Sequence, residues 1–197
     1  MVSVVGVLCG LAGMQHGVGE TLQGNVAPSG IIINAWQPAH PLFGPEPALT
    51  IVPNFFVTGV LAVIFGLMVA MWSVAFVQGK KGGAVLILLS IVQFFVGGGI
   101  APLLPAIMVG VAATRINSPL TWWRAHLPVS ARRALAKLWL WSVMAFSFLY
   151  SLLLFFSWYL FSENIDLAFI FGDATLGLIL FSVFAGFAYD IQRRSVE

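Results

Sequence analysis

The sequence predicts an all-α membrane protein, a polytopic bundle of transmembrane helices that forms a single domain over residues 1–197. Sixty per cent of the residues are hydrophobic and only 8% are charged, whereas a soluble domain carries roughly 25% charged residues. The mean hydropathy is +0.99, and the few charges lie between long charge-poor runs. This composition excludes a soluble enzyme, a nucleic-acid-binding protein and a disordered chain.

Four of the apolar runs are long enough to span a membrane, which requires ~20 mostly apolar residues in a helix. They cover residues 1–22, 55–77, 138–162 and 167–189. No Lys or Arg precedes the first run, as one would in a secretory signal peptide, so we expect it to be retained as the first helix.

A fifth apolar region, residues 82–114, contains no charge but is too long for one ordinary span. Gly97-Gly98-Gly99 stands in its middle, and Pro102 and Pro105 follow. Glycine weakens a helix and proline fits best in its first turn. We therefore predict helices over 83–96 and 102–114 joined by a glycine turn, as a hairpin that either crosses the bilayer or is re-entrant. These two helices bring the total to six membrane segments.

The charges predict how the bundle is oriented. With six segments, all nine Lys and Arg fall on one side, and the opposite side carries only the acids Glu46, Glu163 and Asp166. Basic loops face the cytoplasm, so both termini and the link 116–137 are predicted to be cytoplasmic and the loop 24–54 to lie outside. We expect a multi-pass protein of the cell (inner) membrane, whose first partner is the lipid bilayer.

The first helix carries a stripe of four glycines, at spacings of four, three and four: Gly6, Gly10, Gly13 and Gly17. In lipid, small residues let two helix backbones approach closely. We predict that this glycine stripe packs against another helix, either within the chain or in a partner membrane subunit or second copy.

Polar residues adjoin that stripe, and ionisable groups within a membrane usually mark a functional site because their insertion is costly. His16 and Glu20 lie one turn apart, with Gln23 on the same face. By orientation, two residues of other segments reach the same outer depth. The predicted ligand-binding residues, beneath the loop 24–54, are His16, Glu20, Gln23, Gln93 and Asp173.

This pattern favours binding or transport of a small solute or cation through an outward-facing polar cavity. A metal, if one binds, would take His16 and Glu20 as ligands; no Cys/His zinc spacing and no nucleotide-binding motif is present. The sequence identifies no cofactor and no catalytic residue, and no nucleic-acid partner is expected. Two alternatives remain: an intramembrane enzyme that uses His16 and Glu20 as an acid–base pair on a lipid-like substrate, which we favour less, and a structural or assembly subunit of a membrane complex.

In outline, this architecture is similar to the substrate-binding subunits of energy-coupling-factor uptake systems. Those are small six-helix proteins with cytoplasmic termini, a long first outer loop over the ligand and a small-residue motif on the first helix. Gly6 and Gly10 stand here at the spacing of that motif, which is alanine-based in the family. The resemblance covers architecture only and implies no ligand and no binding residue.

Overall fold

The computed structural model describes residues 1–116 and 118–193. The chain is mostly helical, at 70%, and contains one two-stranded sheet in the described ranges. The elements in chain order are α1 (Val2–Leu22), β1 (Ile32–Asn34), β2 (Pro47–Leu49), α2 (Phe55–Ala75), α3 (Gly82–Phe95), α4 (Leu103–Ala113), α5 (Thr121–His126), α6 (Val129–Phe161) and α7 (Ile165–Arg193).

Four helices are long and apolar enough to cross a membrane: α1, α2, α6 and α7. The helices α3 and α4 have 14 and 11 residues, which at 1.5 Å per residue reach roughly 21 and 17 Å. A hydrocarbon core is ~30 Å thick. The apolar region 82–114 is therefore a helical hairpin, as predicted, and each of its arms is shorter than a full span.

The link 116–137 is more helical than the apolar pattern indicated. It contains α5, and α6 begins at Val129 rather than at 138. Pro128 takes the N-cap position of α6, where proline can be accommodated before a helix. The basic first turns of α6 therefore continue directly into its apolar part.

Helices α1 and α2 form a closely packed antiparallel pair. Gly10 of α1 faces the backbone of Gly66, and Gly17 faces that of Gly59; a β-carbon at Gly10 or at Gly17 would lie 2.5 Å from the facing carbonyl oxygen. Gly6 lies against Ser73 of α2. Three of the four glycines of the stripe are thus covered by this chain's own second helix.

Helices α6 and α7 form a second pair, joined by a short turn. They pack on the rest of the bundle through Phe146, Tyr150 and Ile179, in one apolar core with Cys9 and Ala12 of α1. The Met1 side chain lies 3.7 Å from the position of a β-carbon at Gly186. The beginning of α1 and the end of α7 are therefore at the same end of the bundle.

Residues 24–54, which we call the cap, cover the opposite end. Their strands β1 and β2 are antiparallel, with Ile33 paired to Ala48. The cap then reaches the turn between α3 and α4, because the Ile51 amide donates to the Phe95 carbonyl at 3.0 Å and the Gly97 amide donates to the Leu49 carbonyl at 3.0 Å. The cap thus occupies the space left above the two short helices.

Candidate functional site

The turn between α3 and α4 holds three glycines, and each of them lies against one polar side chain. Gly97 contacts the Glu20 carboxyl, Gly98 contacts Gln93, and Gly99 contacts the His16 ring. A β-carbon at any of these positions would overlap its neighbour. Gly97 and Gly99 also have φ angles of 95° and 81°, which side-chain-bearing residues rarely adopt. The turn requires glycine for both reasons.

His16 is buried, at 3% exposure. Its Nδ1 lies 3.0 Å from the Ala12 carbonyl oxygen one turn earlier in α1. A carbonyl can only accept, so Nδ1 carries the proton in this arrangement and the neutral ring keeps its lone pair on Nε2. That atom faces Gly99, and the ring therefore presents a basic nitrogen to the glycine turn.

Glu20 is completely buried, at 0% exposure, and neither of its carboxylate oxygens has a hydrogen-bond partner among the described residues. Burying an ionised carboxylate without a partner is very costly, because the protein interior replaces little of the lost hydration. An ionised Glu20 without a partner is therefore disfavoured at this position.

Glu46 of the cap turns inward onto the same site. Its side chain is 13% exposed, and its Oε2 lies 3.4 Å from His16 Nδ1. Burial raises the pKa of this carboxyl to about 8, against an opposing effect of the nearby Gln15 amide. The φ angle of Glu46 is 46°, a left-handed conformation that is strained for a residue other than glycine. The cap therefore places the Glu46 carboxyl against His16, as a second carboxyl beside that of Glu20, and burial favours the neutral form of Glu46.

Gln93 joins this cluster but already has a structural partner. Its Nε2 donates to the Cys9 carbonyl at 3.2 Å, and the side chain occupies the space that Gly13 leaves open on α1. The amide therefore links α3 to α1 beside the two acids. Gly13 is the member of the glycine stripe that faces α3 instead of α2.

A hydroxyl pair fastens the cap to the turn. Thr58 of α2 donates to the Val96 carbonyl at 2.8 Å, and its hydroxyl lies 2.6 Å from that of Thr50 in the cap. Both threonines are buried. This latch joins the cap, α2 and the end of α3 at the edge of the polar cluster.

Gln23 and Asp173 lie outside this cluster, so the structure brings together three of the five predicted ligand-binding residues. Gln23 donates to the carbonyls of Asn34 and Ala35 at 3.0 and 2.9 Å, so it fastens the cap to the end of α1. Asp173 is exposed on α7. That helix packs through Thr175 and Ile179, and a residue two positions before Thr175 points to the opposite face.

The predicted metal ligands, His16 and Glu20, remain close together. In the parts of the chain that the structure describes, however, no three His, Cys, Asp or Glu side chains are placed to hold a metal ion. A transition-metal site needs three or more protein ligands. His16 and Glu20 alone therefore supply fewer ligands than such a site uses.

Sequence reasoning missed three parts of this site: Glu46 as a group in contact with His16, the Gln15 amide and the threonine latch. One signal was present, since Glu46 is the only acid of the cap and stands between Pro45 and Pro47. All four residues of the glycine stripe are buried within the chain.

Comparison of the chain with models of protein families, with curated proteins and with solved structures gives no significant match. Three features define the site: an unpaired buried carboxyl, an adjacent imidazole and a second carboxyl on a cap.

Proposed function

We propose that this chain is a membrane transport protein that binds a small cation, in the first place a proton, at Glu20 beneath the cap. The observation that supports this proposal is the complete burial of both Glu20 oxygens without a hydrogen-bond partner in the described chain. A buried carboxyl of this kind is stable when it carries a proton or contacts a cation, and unstable when it is ionised and alone.

The proposed membrane arrangement places six helices in the bilayer, with α3 and α4 as a re-entrant hairpin and both termini in the cytoplasm. Two observations support this orientation. Met1 and Asp190 line the same cleft, so the beginning of α1 and the end of α7 lie at one end of the bundle. Eight of the nine Lys and Arg are described, and all eight lie in or beside the segments that meet at this end: Lys80, Lys81, Arg115, Arg124, Arg132, Arg133, Lys137 and Arg193. Basic residues favour the cytoplasmic side.

In this proposal Glu20 is the primary binding group and His16 is its neighbour. The Nε2 lone pair of His16 can accept a proton in the same pocket, or orient a bound cationic group by hydrogen bonding. Glu46 closes the site from the cap side, 3.4 Å from His16. Entry and release then require the cap to move, because His16, Glu20 and Gln93 are all buried in the closed structure.

Transport by reconstituted protein tests this function. Purified protein is placed in lipid vesicles that contain a pH-sensitive dye, a potential is imposed with potassium and valinomycin, and proton entry is recorded; radioactive sodium uptake is measured in parallel. We expect the wild-type protein to carry protons, sodium or both, and Glu20→Gln to abolish that flux at unchanged folded yield.

Glu163→Gln provides the matched control, since it makes the same chemical change at an exposed residue. We expect its flux to equal that of the wild type. Equal flux through the wild-type and Glu20→Gln proteins would overturn the assignment of Glu20. A Glu20→Gln protein that fails to fold would show instead that Glu20 is a structural residue.

A further inference from the structure

A groove of about 780 Å³ lies at the end of the bundle away from the cap, between α4, α5 and α7. Its walls are apolar and include Val111 of α4 with Leu180 and Phe184 of α7. Arg115 and Thr121 stand at the same groove, where α4 has ended and α5 begins. The groove is separate from the proposed cation site, since neither His16 nor Glu20 lines it.

The groove exists because α4 is short and α5 is held against α7. The Trp123 ring of α5 packs on Phe184 at a centroid distance of 5.2 Å and on Phe187 at 5.6 Å. Beyond Ala113 the chain leaves the helix and turns into α5, so the space that a full-length helix would fill beside α7 stays open. Val111 is 55% exposed on this side.

The groove is apolar along the helices and cationic at its end, which matches the acyl chain and the headgroup of a lipid. Its apolar part lies against membrane helices, and at its end are an exposed guanidinium (Arg115), an exposed hydroxyl (Thr121) and the exposed Trp122 ring. Tryptophan and arginine together are typical of the headgroup level. A soluble ligand would have no reason to prefer walls that face hydrocarbon.

The charge at this end favours an anionic headgroup. The eight described Lys and Arg lie at this end of the bundle, where Asp190 is the acidic residue among those described. Clusters of basic residues next to membrane helices attract anionic lipids. A zwitterionic lipid would gain nothing from this net positive potential.

We propose that this groove binds one anionic phospholipid of the adjacent leaflet. An acyl chain lies along Val111, Leu180 and Phe184, and the phosphate accepts hydrogen bonds from the Arg115 guanidinium and the Thr121 hydroxyl. The bound lipid completes the bundle where α4 is too short. This inference is independent of the proposed transport function, because it concerns different residues at the opposite end.

Native mass spectrometry of the full chain in detergent tests the proposal. Delipidated protein is titrated with dioleoyl phosphatidylglycerol and, separately, with dioleoyl phosphatidylcholine. We expect one phosphatidylglycerol per chain to be retained and phosphatidylcholine to be lost at the same activation energy. Arg115→Gln should weaken phosphatidylglycerol binding about tenfold, the size of one hydrogen bond to a charged group, and Arg115→Lys should restore part of it.

Two further variants separate the groove from general surface charge. Val111→Trp fills the apolar part at an exposed position and should prevent retention of the lipid. Arg133→Gln removes the same charge from α6, outside the groove lining, and should leave binding unchanged. Inorganic phosphate at millimolar concentration should not displace the lipid, since it offers the headgroup chemistry without the acyl chain.

Four results would overturn the proposal. Equal losses in Arg115→Gln and Arg133→Gln would show that diffuse charge alone holds the lipid. Unchanged retention in Val111→Trp would show that no acyl chain enters the groove. Displacement by inorganic phosphate, or equal retention of phosphatidylcholine, would show that the groove does not select an anionic phospholipid.

Discussion

We predict that Glu46 makes closure of the cap dependent on pH, and Glu46→Gln tests this dependence. Burial raises the pKa of this carboxyl to about 8, from the 4.5 of a solvated group. In the closed structure the neutral form is therefore favoured, whereas a released cap exposes a carboxyl that ionises near 4.5. The free energy that holds the cap closed should be fully present below pH 4.5, fall as the pH rises towards 8, and stay constant above.

The size of this effect follows from the two pKa values. A pKa of about 8 against 4.5 corresponds to about 5 kcal/mol, at 1.36 kcal/mol for each pH unit. This is an upper value for the whole range, and only part of it is expressed at any intermediate pH. It equals a change of about three and a half orders of magnitude in the equilibrium between closed and open cap.

Hydrogen exchange measures this equilibrium directly. The amides of Ala35 and Trp36 donate to the Glu46 and Pro45 carbonyls at 2.9 and 3.0 Å, so they report on the part of the cap that carries the acid. After correction for the intrinsic rate, we expect their protection in the wild type to fall between pH 5 and 8. Glu46→Gln should keep high protection across this range, because its amide cannot ionise.

The control for this experiment is Glu163→Gln, whose exchange profile should match the wild type. Other ionisable groups, including His16 and Glu20, also lie near the closed cap, so any pH dependence that remains in Glu46→Gln comes from groups other than Glu46. A wild-type profile that is flat with pH, or one identical to that of Glu46→Gln, would refute the reasoning.

Three further predictions concern packing, and each is checked by thermal or denaturant unfolding in detergent. Gly99→Ala should destabilise the fold by more than Gly24→Ala. Both residues have positive φ, so a φ strain of about 1–2 kcal/mol is common to both, but only Gly99 meets a neighbour, the His16 ring. Equal losses would show that the His16 contact is unimportant. Gly10→Ala should lower the free energy of unfolding by ~1–3 kcal/mol, as is typical of overpacking. A β-carbon at Gly177 meets open space, so Gly177→Ala should be neutral or stabilising by ~0.5–1 kcal/mol. Similar effects of the two variants would contradict the α1–α2 packing. Thr58→Val should cost ~1–3 kcal/mol, because it leaves the buried Val96 carbonyl without its donor, and an unchanged midpoint would show that the latch contributes nothing.

Much of the fold follows from the positions of charge in the sequence. The charge-poor runs at 55–77 and 167–189 contain α2 and most of α7, because a helix in lipid must be apolar along its whole length. The hairpin was also predictable, since three consecutive glycines and two prolines interrupt an uncharged region. The glycines and prolines leave only a short apolar run on each side, so the short lengths of α3 and α4 follow from the same spacing.

The composition of the candidate site was only partly predictable. His16 and Glu20 share a helix, so their proximity follows from the helical period. Asp173 does not meet them, because it lies on the exposed face of α7. This was not predictable, since α7 is apolar on nearly every side and its sequence carries no signal for which face packs inward. Glu46 contacts His16 through the irregular backbone of the cap, including its own left-handed conformation, which no periodic pattern encodes.

The attachment of the cap to the glycine turn has a mechanical consequence. Leu49 and Ile51 of the cap are hydrogen-bonded to Gly97 and Phe95, and Gly97 belongs to the turn that contacts Glu20. A displacement of this part of the cap therefore either breaks these bonds or moves the turn with it. Under the proposed function, opening of the cap and rearrangement of the residues around Glu20 would be coupled.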